Sequence, residues 1–189
     1  MKKVFLMRHS VPEKCDLPTE LIPLSIEGVN LAKSKQESFI SIDRCYASCY
    51  KRAFETAKLI SKKPVVVVNE LHERIIGEAH EDFWLKQYQN YDYHNPGGES
   101  LNMVKMRMKR AMDCALKEME DGETALVVSH ATAICSYLLN FGQIEVDDAK
   151  TKSRIITFRD REVLRGKINP TDFFEIEYED NEVVAIRFC

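Results

Sequence analysis

The chain lacks any long apolar run. A membrane-spanning helix needs about 20 consecutive apolar residues, and no stretch of these 189 residues approaches that. The N-terminal "MKKVFLMRHS" has two lysines and a short apolar run, but the run breaks at Arg8. It reads as a first strand rather than a signal peptide. There is no C-x-x-C pair. Cys15, Cys45, Cys49, Cys114, Cys135 and Cys189 are irregularly spaced, which argues against a disulfide framework or a zinc site. Reduced, mostly buried thiols and a cytoplasmic location are expected. Basic residues are not in excess: 27 Lys and Arg against 30 Asp and Glu give a net charge of −3. No bulk attraction to nucleic acid or to an acidic membrane follows, so any anion site must be built locally. Internal repeats, low-complexity segments and linkers are absent, and one domain over residues 1–189 is expected. No aspartate cluster offers to hold a metal, and neither metal nor cofactor is expected.

What is present is an alternation of strand and helix signals. Residues 2–8 read as a strand. "SIEGVNLAKSKQESF" reads as a helix with Ser25 as N-cap and Ile26, Val29 and Ala32 on one face. Residues 43–48 read as a short strand, and "YKRAFETAKLISKK" as a helix with Ala53, Ala57 and Ile60 along one side. "PVVVVN" is the clearest strand, β-branched throughout. Residues 70–98 are irregular and polar-aromatic. Leu101, Val104, Met108, Met112, Ala115 and Met119 then trace the buried face of a long helix ended by Gly122, and its five methionines are expected to fill core gaps. "TALVVS" is a buried strand, and "ATAICSYLLNF" a short apolar helix. "FFEIEYEDNEVVAIRF" alternates on both sides of Asp180-Asn181, the mark of a hairpin. The expected fold is α/β: a mainly parallel sheet with helices on both faces and antiparallel C-terminal edge strands.

In open α/β sheets, ligands collect beyond the carboxyl ends of the strands. Beyond the first strand stand Arg8 and His9. Arg52 follows the second, in the first turn of a helix. Glu70, Glu73 and Arg74 follow the third, and His130 follows "TALVVS", directly before a helix. Arginine grips phosphate oxygens through parallel N–H donors, and an open helix N-terminus adds backbone N–H groups. This set suits phosphoryl transfer. A neutral imidazole attacks phosphorus, and the arginines with a second, protonated histidine stabilise the equatorial oxygens. A carboxylic acid protonates the leaving alkoxide and then activates water. Chemistry alone does not choose between Glu70 and Glu73.

The motifs resemble those of the histidine phosphatase superfamily, the phosphoglycerate mutase-like proteins. "LMRHS" resembles its Arg-His-Gly signature, "ASCYKRAFETA" its Ser-x-x-x-Arg-Ala-x-x-Thr-Ala motif, and "LHERIIG" its Leu-x-Glu-x-x-x-Gly segment. "PLSIEGVNLA", "PGGES" and "VVSHA" match further pieces in the right order, over about residues 4 to 135. The resemblance implies His9 as nucleophile, Glu73 as proton donor, and Arg8, Arg52 and His130 as the phosphate pocket. It implies a phosphatase acting on a small phosphorylated metabolite. A phosphoglycerate mutase-type transferase and a non-catalytic phospho-ligand binder are the alternatives. Ser10 and Ala131 stand where the family has glycine, and Ser10 is expected to donate to the phosphate. The text after Gly77 departs from the family's Trp-x-Gly pattern. Residues 78–96, with Phe83, Trp84, Tyr88, Tyr91 and Tyr93, are either an aromatic-anchored loop or a cap whose tyrosine hydroxyls and His94 select the leaving group. His72 and His80 are read as surface residues.

Overall fold

A computed structural model describes all residues, 1–189. Its elements in chain order are β1 (Lys2–Arg8), α1 (Ile26–Ser34), β2 (Arg44–Ser48), α2 (Lys51–Ile60), β3 (Val65–Val68), α3 (Phe83–Gln89), α4 (Leu101–Glu118) and β4 (Thr124–Ser129). They continue with α5 (Ala131–Leu138), β5 (Gln143–Asp148), β6 (Ser153–Phe158), β7 (Arg161–Gly166), β8 (Phe173–Glu179) and β9 (Glu182–Phe188). The main sheet runs β3-β2-β4-β1-β8-β9. Its first four strands are mutually parallel, β8 adds antiparallel to β1, and β9 adds antiparallel to β8. Asp180 and Asn181 both take positive φ in the final turn, 49° and 64°, as a two-residue hairpin turn requires.

Period-2 alternation sends side chains to both faces of the sheet. Val4, Leu6, Ala125 and Val127 meet α4 and α5 in the larger apolar cluster. Met7, Leu126 and Val128 meet Ala32, Ala53, Ala57 and Ile60 of α1 and α2 in the smaller one. Ser25 and Ser100 cap α1 and α4 through their hydroxyls, accepting from the Gly28 and Met103 N–H groups.

Several expectations need correction. The helix read through Phe39 stops at Ser34 and gives way to a 3₁₀ turn at Gln36–Phe39. Its Ile26 is 81% exposed rather than inward-facing. This helix approaches the loop after β1 through Gly28, where a Cβ would lie only 2.0 Å from the Val11 carbonyl oxygen. The valine run is a strand as expected, at the edge of the sheet, with Val66 and Val67 each 49% exposed. Its β-branching favours extended backbone and does not require burial. Met103 and Met106 of α4 face solvent, so they fill no core gap. Only Cys45 and Cys135 are buried thiols; the other four cysteines are exposed. Two features lie outside the sequence reading: α3 inside the aromatic segment, and a second, antiparallel sheet β5-β6-β7.

Candidate active site

Register places the two histidines together. β1 and β4 pair in parallel with Arg8 opposite Ser129, so His9 and His130 leave neighbouring strands at one level. The His9 N–H donates to the Ser129 carbonyl at 2.9 Å. The two rings stand 5.0 Å apart, and both are buried. Because β2 also pairs in parallel with β4, α2 begins at the same sheet end and delivers Arg52. Its guanidinium joins both rings: Nε donates to His9 Nε2 at 3.1 Å, and Nη2 to His130 Nδ1 at 3.3 Å. Nη1 donates to the Thr19 carbonyl at 2.5 Å.

These partners fix the tautomers. A carbonyl can only accept, so the 2.6 Å contact between His9 Nδ1 and the Ser10 carbonyl puts the hydrogen on Nδ1. The Nε2 lone pair is then the one facing Arg52. On His130 the order is reversed: Nδ1 accepts from Arg52, and Nε2–H donates to Ser48 Oγ at 2.9 Å. Burial, then the Arg52 charge, lowers the His9 pKa to about 3. Burial, the neighbouring His9 and Arg52 hold His130 well below the usual imidazole range. In the free protein a second cation beside Arg52 in a dry site is costly, which favours a neutral His130 until a phosphate brings negative charge.

A pH dependence of stability follows. The unfolded His9 takes up a proton near pH 6.5, while the folded one resists it down to about pH 3. The stabilising contribution of neutral His9 is thus full above about pH 6.5 and is lost as pH falls toward the folded value. Thermal melts from pH 7 to pH 4 should show a smaller loss in His9→Asn than in the unsubstituted protein. Parallel loss in both would contradict a neutral buried ring.

The Glu73 carboxylate lies at the start of α5, right after His130. Oε1 accepts from the Ala133 N–H at 3.0 Å and the Arg74 N–H at 2.8 Å, and Oε2 from the Thr132 N–H at 3.3 Å. The N–H groups expected to await a ligand anion at this helix start therefore hold the protein's own carboxylate. Glu70 is exposed and contributes only its carbonyl, so of the two glutamates only Glu73 is seated beside the histidines. Arg107 clamps this loop, donating to the carbonyls of Glu70, His72 and Glu73 and pairing with Glu99 at 2.8 Å. Burial pushes the Glu99 carboxyl up, but Arg107 and the Ile75 N–H outweigh it, and the net shift is downward. The "PGGES" glutamate thus acts through Arg107 as an anchor for Glu73.

Arg8 projects from the end of β1. Its Nη1 donates to the Ile168 carbonyl at 2.5 Å, while its buried Nε has no partner. Burial lowers its pKa, opposed by the nearby charges of Glu73 and Asp172. Ser10 does not serve the pocket as expected. Its hydroxyl donates to the Gly28 carbonyl at 2.7 Å, and its N–H to Thr56 Oγ1 at 3.0 Å, tying the His9 turn to α1 and α2. The hydroxyls of Tyr91 and Tyr93 bond to the Ile144 carbonyl and to Asn95, and His94 to the Asn95 carbonyl, so a selecting role for them has no support. His80 is exposed as expected, whereas His72 is half-buried and stacks on Tyr50.

Five residues of this region carry no role in the sequence reading: Ser48, Tyr50, Glu99, Arg107 and Arg154. Ser48 stands inside the "ASCYKR" motif, so its position was available. Tyr50 packs edge-on to His130 at 5.1 Å and under the Arg52 guanidinium at 5.0 Å. Arg154 comes from β6 and has no sequence signal. A surface concavity of about 620 Å³ between β7 and β9 is lined by neither histidine. No group of three or more His, Cys, Asp or Glu side chains is placed to hold a metal ion, and no helix is long and apolar enough to cross a membrane.

No curated protein sequence matches this chain. Solved structures of the same fold are numerous. A mycobacterial glucosyl-3-phosphoglycerate phosphatase complexed with inorganic phosphate superimposes with a TM-score of 0.74 at 16% identity, covering 100% of this chain and 96% of that one. A phosphoserine phosphatase mutant from Entamoeba histolytica, complexed with phosphoserine, gives 0.71 at 18% identity, with the same coverages of 100% and 96%. Phosphoglycerate mutase from Thermus thermophilus gives 0.65 at 19% identity, covering 98% of each chain. At the level of sequence, residues 4–154 match the description of the histidine phosphatase superfamily, branch 1. The paired histidines, their shared arginine and the carboxylate at α5 sit on the chain of a member of the histidine phosphatase superfamily.

Proposed function

We propose that this protein is a phosphatase that hydrolyses a small phosphomonoester through a phosphohistidine at His9, without a metal. The observation that carries the reading is the His9 ring: neutral, with its Nδ1 hydrogen held by a carbonyl and its Nε2 lone pair turned toward the Arg52 guanidinium. An imidazole in that state is ready to attack phosphorus. Structural relatives whose names describe phosphatases of phosphorylated small molecules support the substrate class.

The steps follow from the side chains. The ester's phosphoryl oxygens take over the Arg52 N–H groups now donated to the imidazoles, with Arg8 adding positive charge. Their negative charge opposes the forces that hold His130 neutral, so His130 becomes a better donor as substrate arrives. His9 Nε2 forms a bond to phosphorus as the ester P–O bond breaks. The Glu73 carboxylate takes the proton that a monoanionic ester carries on its phosphate and passes it to the leaving oxygen. As carboxylate it then takes a proton from water, whose oxygen bonds to phosphorus as the P–N bond breaks. Inorganic phosphate leaves and His9 returns neutral.

Hydrolysis of p-nitrophenyl phosphate tests this reading. Turnover should require His9 and be unchanged by EDTA; strong EDTA inhibition would contradict the metal-free scheme. Glu73→Gln adds a second test. Alkyl phosphates, whose alkoxides need a proton, should slow by on the order of 10²-fold or more, while aryl phosphates slow far less in the first step. Equal slowing of both would remove Glu73 from the role of acid.

A further inference from the structure

We propose that the cavity beside Glu73 is a second anion subsite, in which Arg154 and Arg74 bind a carboxylate or second phosphate on the leaving-group side of the substrate. The inference rests on the phosphatase reading of the His9 site. The cavity measures about 230 Å³ and is lined by Glu73, Arg74, Phe83, Trp84, Lys152 and Arg154, among others. It shares Glu73 with the reaction. The group that receives the Glu73 proton is the leaving oxygen, so whatever that oxygen carries extends toward this space.

The cations there outnumber the one carboxylate: Arg74, Lys152 and Arg154 against Glu73. Four arginines are buried: Arg52, Arg74, Arg107 and Arg154. Arg107 has its ion pair with Glu99. Arg52 faces the two histidines and belongs to the reacting phosphate. Arg74 and Arg154 make no ion pair, and each keeps a buried N–H without a partner, Arg74 Nη2 and Arg154 Nε. The Arg154 guanidinium otherwise touches only a thiol and two rings: Nη1 lies 3.2 Å from Cys135 Sγ, and Cζ lies 5.5 and 5.6 Å from the Trp84 and Tyr88 ring centroids. Arg74 spends its other donors on the Glu99 carbonyl and the Gln87 side-chain oxygen, with Phe83 at 5.7 Å. A buried guanidinium with no ion pair and an unmade hydrogen bond is costly. Two of them facing one small cavity are accounted for by an anion that binds there. The nearby carboxylate of Glu73 attracts both guanidiniums but bonds to neither, because its oxygens accept from three backbone N–H groups, and one carboxylate does not balance Arg74, Lys152 and Arg154. The α3 aromatics complete the walls, which gives the aromatic segment a role in selecting the leaving group that its outer tyrosines do not have.

The test uses matched esters and the whole protein. 3-Phosphoglycerate is compared with glycerol 3-phosphate for the carboxylate, and 1,3-propanediol bisphosphate with its monophosphate for the second phosphate. In at least one pair the anion-bearing ester should have kcat/KM higher by about tenfold or more, because guanidinium–anion contacts in a dry site discriminate strongly. Arg154→Met should bring that ratio close to one, mainly through KM, and Arg154→Lys should restore part of it. Ratios near one for both pairs in the unsubstituted protein would overturn the proposal with no variant needed, as would a ratio that survives Arg154→Met. p-Nitrophenyl phosphate carries no second anion, so its His9-dependent turnover reads the phosphatase assignment separately. Turnover without anion preference removes the subsite alone, and absence of turnover removes the reading beneath it.

Discussion

Replacing His9 with alanine abolishes phosphomonoester hydrolysis, with a loss on the order of 10⁴-fold or more in kcat. Arg8, Arg52, His130 and Glu73 all remain in that variant, and together they still bind and polarise a phosphate ester. What they lack is a nitrogen to form the P–N bond, so water would have to attack directly. The position in line with the leaving oxygen, opposite Glu73, would then hold only a methyl group. The fold should survive. His9 bonds through its backbone to Ser129 whatever its side chain, and the ring's own partners are Arg52 and a local carbonyl. Circular dichroism and a cooperative melt establish that the loss is chemical. Turnover within tenfold of the unsubstituted protein would remove His9 from the nucleophile's role.

Arg52→Ala is the second large effect. Its guanidinium contacts both imidazoles and Thr19, so no other side chain places three charge-assisted donors in this space. Losing one preorganised donor to a developing oxyanion costs on the order of 10²- to 10³-fold, or about 3–4 kcal/mol of transition-state stabilisation, and kcat should fall by that much. A second signature separates this from simple weakening of the site. The Arg52 charge is among the causes that keep both rings neutral. Without it both histidines take up protons at higher pH, and the acid limb of the kcat/KM profile moves upward. Arg52→Lys should recover little, since a single ammonium cannot span two imidazoles. A loss below about threefold with an unmoved pH profile would contradict this role.

The site is more legible in the sequence than the molecule around it. Arg8 and His9 interrupt an apolar run, and His130 ends another. Parallel strands sharing one direction must bring such ends together, so local pattern and topology agree. Glu73 separates from Glu70 by chemistry only once the loop's path is known. Its distinction is a carboxylate seated on α5 while Glu70 faces outward. The Ser10 hydroxyl escapes sequence reasoning because its partner, the Gly28 carbonyl, lies on a helix whose approach depends on a missing Cβ. The charge of His130 has no sequence signal at all. It is a sum over burial, His9 and Arg52 in three dimensions. α3 has only seven residues, too few for a helical period to emerge from an aromatic stretch. Arg154 lies on a strand of the second sheet, in a segment of mixed polarity with no motif. Its meaning comes from what surrounds it and from a buried N–H left without a partner.

Rapid quench of the protein with a ³²P-labelled phosphomonoester tests the central chemistry most directly, with the protein trapped under alkaline conditions and its labelled peptide sequenced by mass spectrometry. A phosphohistidine mechanism predicts one acid-labile, base-stable phosphate per chain, attached to His9 and absent from His9→Ala. Label on another residue, or steady turnover with no protein-bound phosphate at any quench time, would contradict it.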